Sequence, residues 1–257
     1  MRTRTKRGLC ILLALCMAFG GLTATAFAES RQPFPFTDVP LDVWYRPAVE
    51  YVYRNNIMGG TSPTTFAPGA NMSRAMAAAT LFRLEHGRMA NAEDSRENPF
   101  HDVSASEWFA PYVTWAHSND IVNGVGNDRF APHDAVTREQ FAVMCQRYAH
   151  YKEIAYPAVW LLWDFPDYDA VSEWAKGGMN TAVVLGLIQG TDEGTLNPCG
   201  NISRAEAATM LMRLSGISAP ESLDIRQFLG RQFDEVSQFL GLPIDDRNVI
   251  DAERYAG

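Results

Sequence analysis

Three arginines occupy one slot of a repeated pattern: Arg74, Arg138 and Arg204. Each directly follows a hydroxyl residue (Ser73, Thr137 or Ser203) and opens a stretch whose apolar periodicity reads as a helix. A cation in the first turn of a helix opposes the helix dipole, at a cost of about 0.3–1 kcal/mol. Its recurrence needs a reason. One reason is an anion. The N–H groups of a helix start favour negative charge, and a guanidinium adds a planar fork that grips a carboxylate or phosphate through two bonds. The other is an acidic side chain from a neighbouring copy, which would satisfy the arginine without any ligand.

Two more residue types keep step with the arginines. Trp44, Trp108 and Trp174 start each unit, and Gly60, Gly124 and Gly190 follow them at a constant offset. A tryptophan offers the flat apolar face that sugar rings stack on, and a glycine lets a ligand approach the backbone. Both also have plain structural uses, as core and as turn residues. Phe66, Phe130 and Leu196, then Pro68, Pro132 and Pro198, fall at further fixed offsets. A Phe-x-Asp precedes each unit: Phe36 with Asp38, Phe100 with Asp102, Phe165 with Asp167. Three copies without gaps between landmarks establish an internal repeat of about 65 residues.

The elements that carry these residues read as helix, loop, helix in each copy. The first helix starts near the Trp, and its third residue beyond is Pro47 or Pro111, which a first turn tolerates. It ends near Asn56, Asp120 or Gly186. The Phe-x-Asp is expected to fix the start of this helix. The loop is polar. The second helix opens with capping boxes, Thr137 with Gln140 and Ser203 with Glu206, while Met76 removes the acceptor from the first copy. Arg83, Arg147 and Arg213, near the ends of these helices, suit the dipole there. The fold class is therefore all-α. The repeats fall at 34–87, 98–151 and 163–216, with an apolar connection from Tyr151 to Trp163 that is expected to pack on the body. A short extension, 217–257, carries an amphipathic stretch from Leu223 to Leu240 that could meet a protein partner.

Residues 1–28 have the form of a secretory signal peptide, with Arg2, Arg4, Lys6 and Arg7 before an apolar run and Ala26-Phe27-Ala28 at its end. Without it, 18 basic face 30 acidic residues, a net charge of −12, which argues against nucleic acid as a partner. No later stretch is long and apolar enough for a membrane span. Cys145 and Cys199 remain, and Cys145 takes the slot of Leu81 and Leu211, which favours a buried apolar role over a disulfide. Enzymatic signals are poor. The five histidines do not recur across copies, and no serine elbow, phosphate loop, cofactor motif or metal-ligand spacing is present. A wall-glycan enzyme and a protein-interaction adaptor stay as alternatives to a binding module.

Phe36-Thr37-Asp38-Val39, Phe66-Ala67-Pro68 and Ser203-Arg204-Ala205-Glu206, with the Trp and Gly landmarks, resemble the S-layer homology family over residues 34 to 215. The resemblance implies a pseudo-threefold spindle of three helix-loop-helix repeats around a central three-helix bundle. It further implies non-covalent anchoring of an exported protein to a secondary wall polysaccharide, at the surface of a Gram-positive-type bacterium. That polymer usually ends in a pyruvate ketal, whose carboxylate agrees with the anion reading. It makes Arg74, Arg138 and Arg204 the main ligand residues. Met76 and Gln140 depart from the motif's Glu, so three equal grooves are not expected.

Overall fold

The computed structural model describes residues 34–91 and 98–217. The signal segment 1–28 and the Leu223–Leu240 stretch lie outside them. Six α-helices carry the described residues: α1 (Arg46–Arg54), α2 (Arg74–His86), α3 (Ala110–Ser118), α4 (Arg138–Tyr151), α5 (Lys176–Val184) and α6 (Arg204–Ser215). Among the described residues β pairing is limited to isolated bridges. Each repeat supplies one short and one long helix, as its sequence reads. The short helices begin two residues after the Trp, and in the third repeat Trp174 itself lies in a 3-10 turn, Glu173–Ala175. Asn56, Asp120 and Gly186, just past their ends, take φ of 57°, 59° and 66°, the left-handed stop the sequence suggests.

The long helices start as predicted. Ser73, Thr137 and Ser203 each accept a hydrogen bond from the N–H three residues on, and both capping boxes are present, with Met76 leaving the first copy half-capped. Leu81, Cys145 and Leu211 occupy equivalent, fully buried positions on these helices. Cys145 and Cys199 are free thiols, the second exposed.

The pairing of helices crosses repeat boundaries. Each long helix packs on the short helix of the next repeat: α2 on α3, α4 on α5, and α6 back on α1. The same cycle runs through the backbone. Met72 N–H donates to the Ile202 carbonyl at 3.0 Å, Ile202 to Val136 at 3.0 Å, and Val136 to Met72 at 2.9 Å. These three apolar residues are fully buried, so the ring of bonds lies in the core, out of water's reach.

The three aspartates do not act where the sequence suggested. Asp102 accepts from both Phe130 N–H and Ala131 N–H at 2.8 Å, and Asp38 and Asp167 do the same for Phe66 with Ala67 and Leu196 with Asn197. They therefore hold the turn before the long helix, not the start of the short one. That turn needs holding, because Ala67, Ala131 and Asn197 have φ of 59°, 57° and 48°. The apolar connection packs only in part. Ile154 and Leu162 are buried, while Val159, Trp160 and Trp163 are exposed. The Asn180 side chain fastens it, accepting from Leu161 N–H and donating to the Val159 carbonyl, both at 2.7 Å. Among the described residues no helix is long and apolar enough to cross a membrane.

Candidate functional site

Arg74, Arg138 and Arg204 are the first residues of α2, α4 and α6. They are deeply placed, with 6%, 5% and 7% of their surface exposed. Their depth follows from the cyclic packing. Each Nε donates to a carbonyl of the next repeat: Arg74 to Phe130 at 2.8 Å, Arg138 to Leu196 at 2.8 Å, Arg204 to Phe66 at 2.9 Å. The Arg74 and Arg204 guanidiniums also lie over the rings of those phenylalanines, 4.8 and 4.5 Å from the centroids. Burial pushes the Arg74 and Arg204 guanidiniums below their ordinary value, while Asp134 and Asp102 near Arg74 and Asp38 near Arg204 oppose the shift.

The helix starts themselves are occupied. Arg74 N–H donates to the Asp134 carbonyl and Ala75 N–H to Pro132, both at 3.0 Å, and the other two helices repeat the arrangement. The N–H groups expected to add to an anion site are thus already bonded to the next repeat. Any anion affinity rests on the guanidinium forks.

Beyond Nε the three forks differ. Arg138 Nη1 donates to Glu206 at 2.6 Å, the acidic neighbour that the sequence left open as an alternative. Arg204 Nη2 donates to the Gly59 carbonyl at 2.6 Å, next to Gly60. Neither terminal nitrogen of Arg74 has a hydrogen-bond partner among the described residues.

Landmarks from three different repeats meet at two of these forks. Arg74, Gly124 and Trp174 line one cavity of about 370 Å³, with Gln140 and Arg147 along its α4 wall. Arg138, Gly190 and Trp44 line a second of about 260 Å³, with Glu206 and Arg213 along its α6 wall. Each cavity thus takes the Arg of one repeat, the Gly of the next and the Trp of the third.

The tryptophans are not core. Trp44, Trp108 and Trp174 are 65%, 53% and 59% exposed, which overturns the buried reading. The glycines have a structural duty as well as a place in the clefts. A Cβ on Gly124 would run into the Arg129 carbonyl and stand 2.7 Å from the Phe100 ring, so packing alone requires glycine there. Gly60 is equally crowded against Phe36 and two loop carbonyls, and Gly190 has φ of +91°.

The spacing argument missed one pair of residues. Arg147 and Arg213 lie nine residues past the cleft arginines and were assigned to the helix dipole. Both face the clefts. Arg213 donates to the Leu187 carbonyl and to Gln189 Oε1 at 2.9 Å, and Arg147 Nη2 lies 3.3 Å from the Asn123 amide oxygen in the orientation that satisfies that amide. Their fixed offset from the first arginine was the available signal. Glu139, one position before Gln140, was also unassigned. Its carboxylate accepts from both Ser172 N–H and Ser172 Oγ at 3.0 Å, and so anchors the turn that presents Trp174.

The S-layer homology domain family matches this chain at residues 35–78, 99–142 and 164–208. An endoglucanase of Bacillus sp. (strain KSM-635) is 29% identical over 213 residues, covering 81% of this chain and 22% of the relative. A cell surface protein of Thermoanaerobacter kivui is 30% identical over 226 residues, covering 88% and 26%. An S-layer protein of Bacillus licheniformis is 26% identical over 197 residues, covering 75% and 22%. The match spans from a tenth to about a quarter of the length of the curated relatives. The three matched stretches make up more than half of the sequence, in the order and spacing of its tryptophan, glycine and arginine landmarks, and the chain belongs to the S-layer homology domain family.

Proposed function

We propose that this chain is a non-catalytic anchoring module. It holds an exported polypeptide at the cell surface of a Gram-positive-type bacterium by binding an acidic secondary wall polysaccharide. The observation that carries the reading is the meeting of Arg74, Gly124 and Trp174 in one cavity. A buried guanidinium with open donors suits a carboxylate, and an exposed indole beside it suits a pyranose face. A pyruvate ketal on a terminal sugar presents both groups on one rigid residue. Binding of this kind is reversible and weakened by salt, since the ion pair forms at a cleft open to water.

The relatives support an anchor over an enzyme. Proteins named as an endoglucanase, an amylopullulanase and an exoglucanase share this segment with proteins named as S-layer proteins. A segment shared by proteins of such different names fits attachment better than one hydrolytic reaction. The test is cosedimentation with purified wall sacculi, before and after removal of the secondary polymer. Binding that depends on the polymer and falls when the cleft arginines are replaced is the expected result. Equal binding to stripped wall, or none to either, sinks the proposal.

A further inference from the structure

In two of the three repeats, the chain that leaves a long helix turns back across the next short helix. After α2, Ala90 N–H donates to the Tyr112 hydroxyl of α3 at 3.2 Å, and Ala90 and Trp115 pack on one cluster with Ala79 and Phe82. After α4, Leu161 N–H donates to the Asn180 side chain of α5 at 2.7 Å, and the Thr181 hydroxyl reaches that of Tyr156 at 3.4 Å. Trp115 and Thr181 each stand seven residues past the tryptophan that leads their repeat, and the same position on α1 is Tyr51. Tyr51 lines a cavity of about 330 Å³ together with Asn55, which is exposed. The other walls are helix ends: Leu84 of α2, Ile154 just after α4, and Leu214 and Ile217 at the end of α6. None of the tryptophan, glycine or first-turn arginine landmarks lines this cavity, so it is separate from the clefts.

The chain leaving α6 is the one that the cycle would lay on α1. We infer that Leu223–Leu240 docks on its own body, seating an apolar face on Tyr51 and in the cavity at the helix ends, and so completes the last sector of the ring. In sequence Ile225, Leu229, Phe233, Val236 and Leu240 stand at helical spacing, which gathers them on one face that gains by leaving water. Reach is sufficient. Leu223 comes six residues after Ile217, itself a wall of the cavity, and six residues span at most about 20 Å. Pro220 lies between them and stops α6 from running straight on into solvent. The charges also match. The cavity carries Arg83 and Lys152 against one carboxylate, Glu85, which Tyr148 and Lys152 already hold at 2.9 and 3.0 Å. Arg83 is loosely met: its buried Nε has no acceptor among the described residues, and its terminal nitrogens reach the Ile57 carbonyl and the Tyr112 hydroxyl only at 3.5 Å. Glu221 and Asp224, at the entry to the docking segment, bring the opposite charge to this wall. The extension is then part of the module, and its apolar face is not offered to a protein partner. This holds whether or not the clefts bind wall polymer.

Hydrogen exchange of the exported chain, residues 29–257, followed by mass spectrometry, tests it. Amides of 223–240 are expected to exchange about tenfold or more slowly than in an unstructured chain, at a rate independent of protein concentration. Ile225→Asp with Leu229→Asp should free the segment and speed exchange at 51–57 on α1, while α3 and α5 keep their protection. Tyr51→Glu should free the segment from the other side. Protection of α3 and α5 shows whether that variant keeps its fold, and if it does not, the paired substitution in the extension carries the test alone. Exchange of 223–240 at unstructured rates in the wild type overturns the inference and leaves the segment for a partner. Protection that grows with protein concentration overturns it in favour of a second copy. Protection that survives in a folded Tyr51→Glu, or an α1 indifferent to the paired substitution, also overturns it.

Discussion

Arg74 Nε donates to the Phe130 carbonyl at 2.8 Å, and the same guanidinium lies 4.8 Å from the centroid of the Phe130 ring. One side chain thus joins the first repeat to the second with one edge and leaves its other edge in the cleft. The two roles separate in Arg74→Lys. An ammonium keeps the charge but lacks the fork, so it cannot hold the carbonyl and a carboxylate together. The expected outcome is a stability loss of about 1.5–3 kcal/mol, typical of a lost charged hydrogen bond, with wall binding reduced well beyond what the folded fraction explains. Urea unfolding and cosedimentation on one preparation check it. Full binding in a destabilised but folded Arg74→Lys would make Arg74 purely structural.

Asp102 gives an acid dependence. Burial raises its carboxyl pKa, but the bonds from Phe130 and Ala131 N–H, with the Arg129 guanidinium 3.7 Å away, outweigh that and hold it below the ordinary 3.8. A group depressed in the folded state stabilises above its unfolded value and loses that contribution as the pH falls through the folded one. The loss should therefore begin below about pH 4 and not at neutral pH. Asp102→Asn keeps one acceptor and loses the other, together with the charge. It is expected to cost about 1.5 kcal/mol at pH 7 and to flatten the acid limb of stability. Urea midpoints from pH 7 to 2 for both proteins test the sign. A parallel acid limb in the two would place the acid sensitivity elsewhere.

The close approach of α4 and α5 rests on Gly178. A Cβ there would overlap the Val143 side chain and stand 2.8 Å from Val143 Cα, which is backbone and cannot step aside. Intrinsic propensity favours alanine over glycine in a helix by about 1 kcal/mol. Overpacking costs about 1–3 kcal/mol, and here it involves a backbone atom, so the steric term should win. Gly178→Ala is expected to be less stable than wild type by about 1 kcal/mol or more, measured by urea denaturation. A gain in stability would mean that α5 sits further from α4.

These residues show what a single sequence makes legible. The landmarks were readable because each acts within its own copy: Ser203 caps its own helix, and Asp120 ends its own. Constant offsets fix register along a chain. They say nothing about which copy stands next to which. The meeting of Arg74, Gly124 and Trp174, three residues from three repeats, is a property of the cyclic packing and not of any offset. The choice between core and cleft for the tryptophans was left open for a related reason, since average burial of indoles carries no information about a cleft between repeats. Asp38 was misassigned because it lies near the first helix in sequence, and its 28-residue reach to Phe66 shows only in three dimensions.

The cyclic packing makes a claim about cooperativity. In an open stack of repeats, end units lean on one neighbour and fray. Here α6 returns to α1, and Arg204 reaches Phe66 across 138 positions of sequence. Removing the first repeat would leave α3 without α2, α6 without α1, and the ring of Met72, Val136 and Ile202 without two of its three bonds. Buried Val49 and Val52 of α1 alone represent about 3 kcal/mol of apolar burial, a large share of the 5–15 kcal/mol that holds an ordinary domain. A fragment of residues 98–217 is therefore expected to lack a cooperative thermal transition, and mixing it with a fragment of residues 34–91 should restore one. The cut falls in the polar connection between the first two repeats, so both fragments keep their helices whole. Calorimetry of each fragment and of the mixture tests this directly. A sharp transition in 98–217 alone, at the temperature of the intact chain, would show that the closing contact of α6 on α1 adds little and that the repeats stand independently.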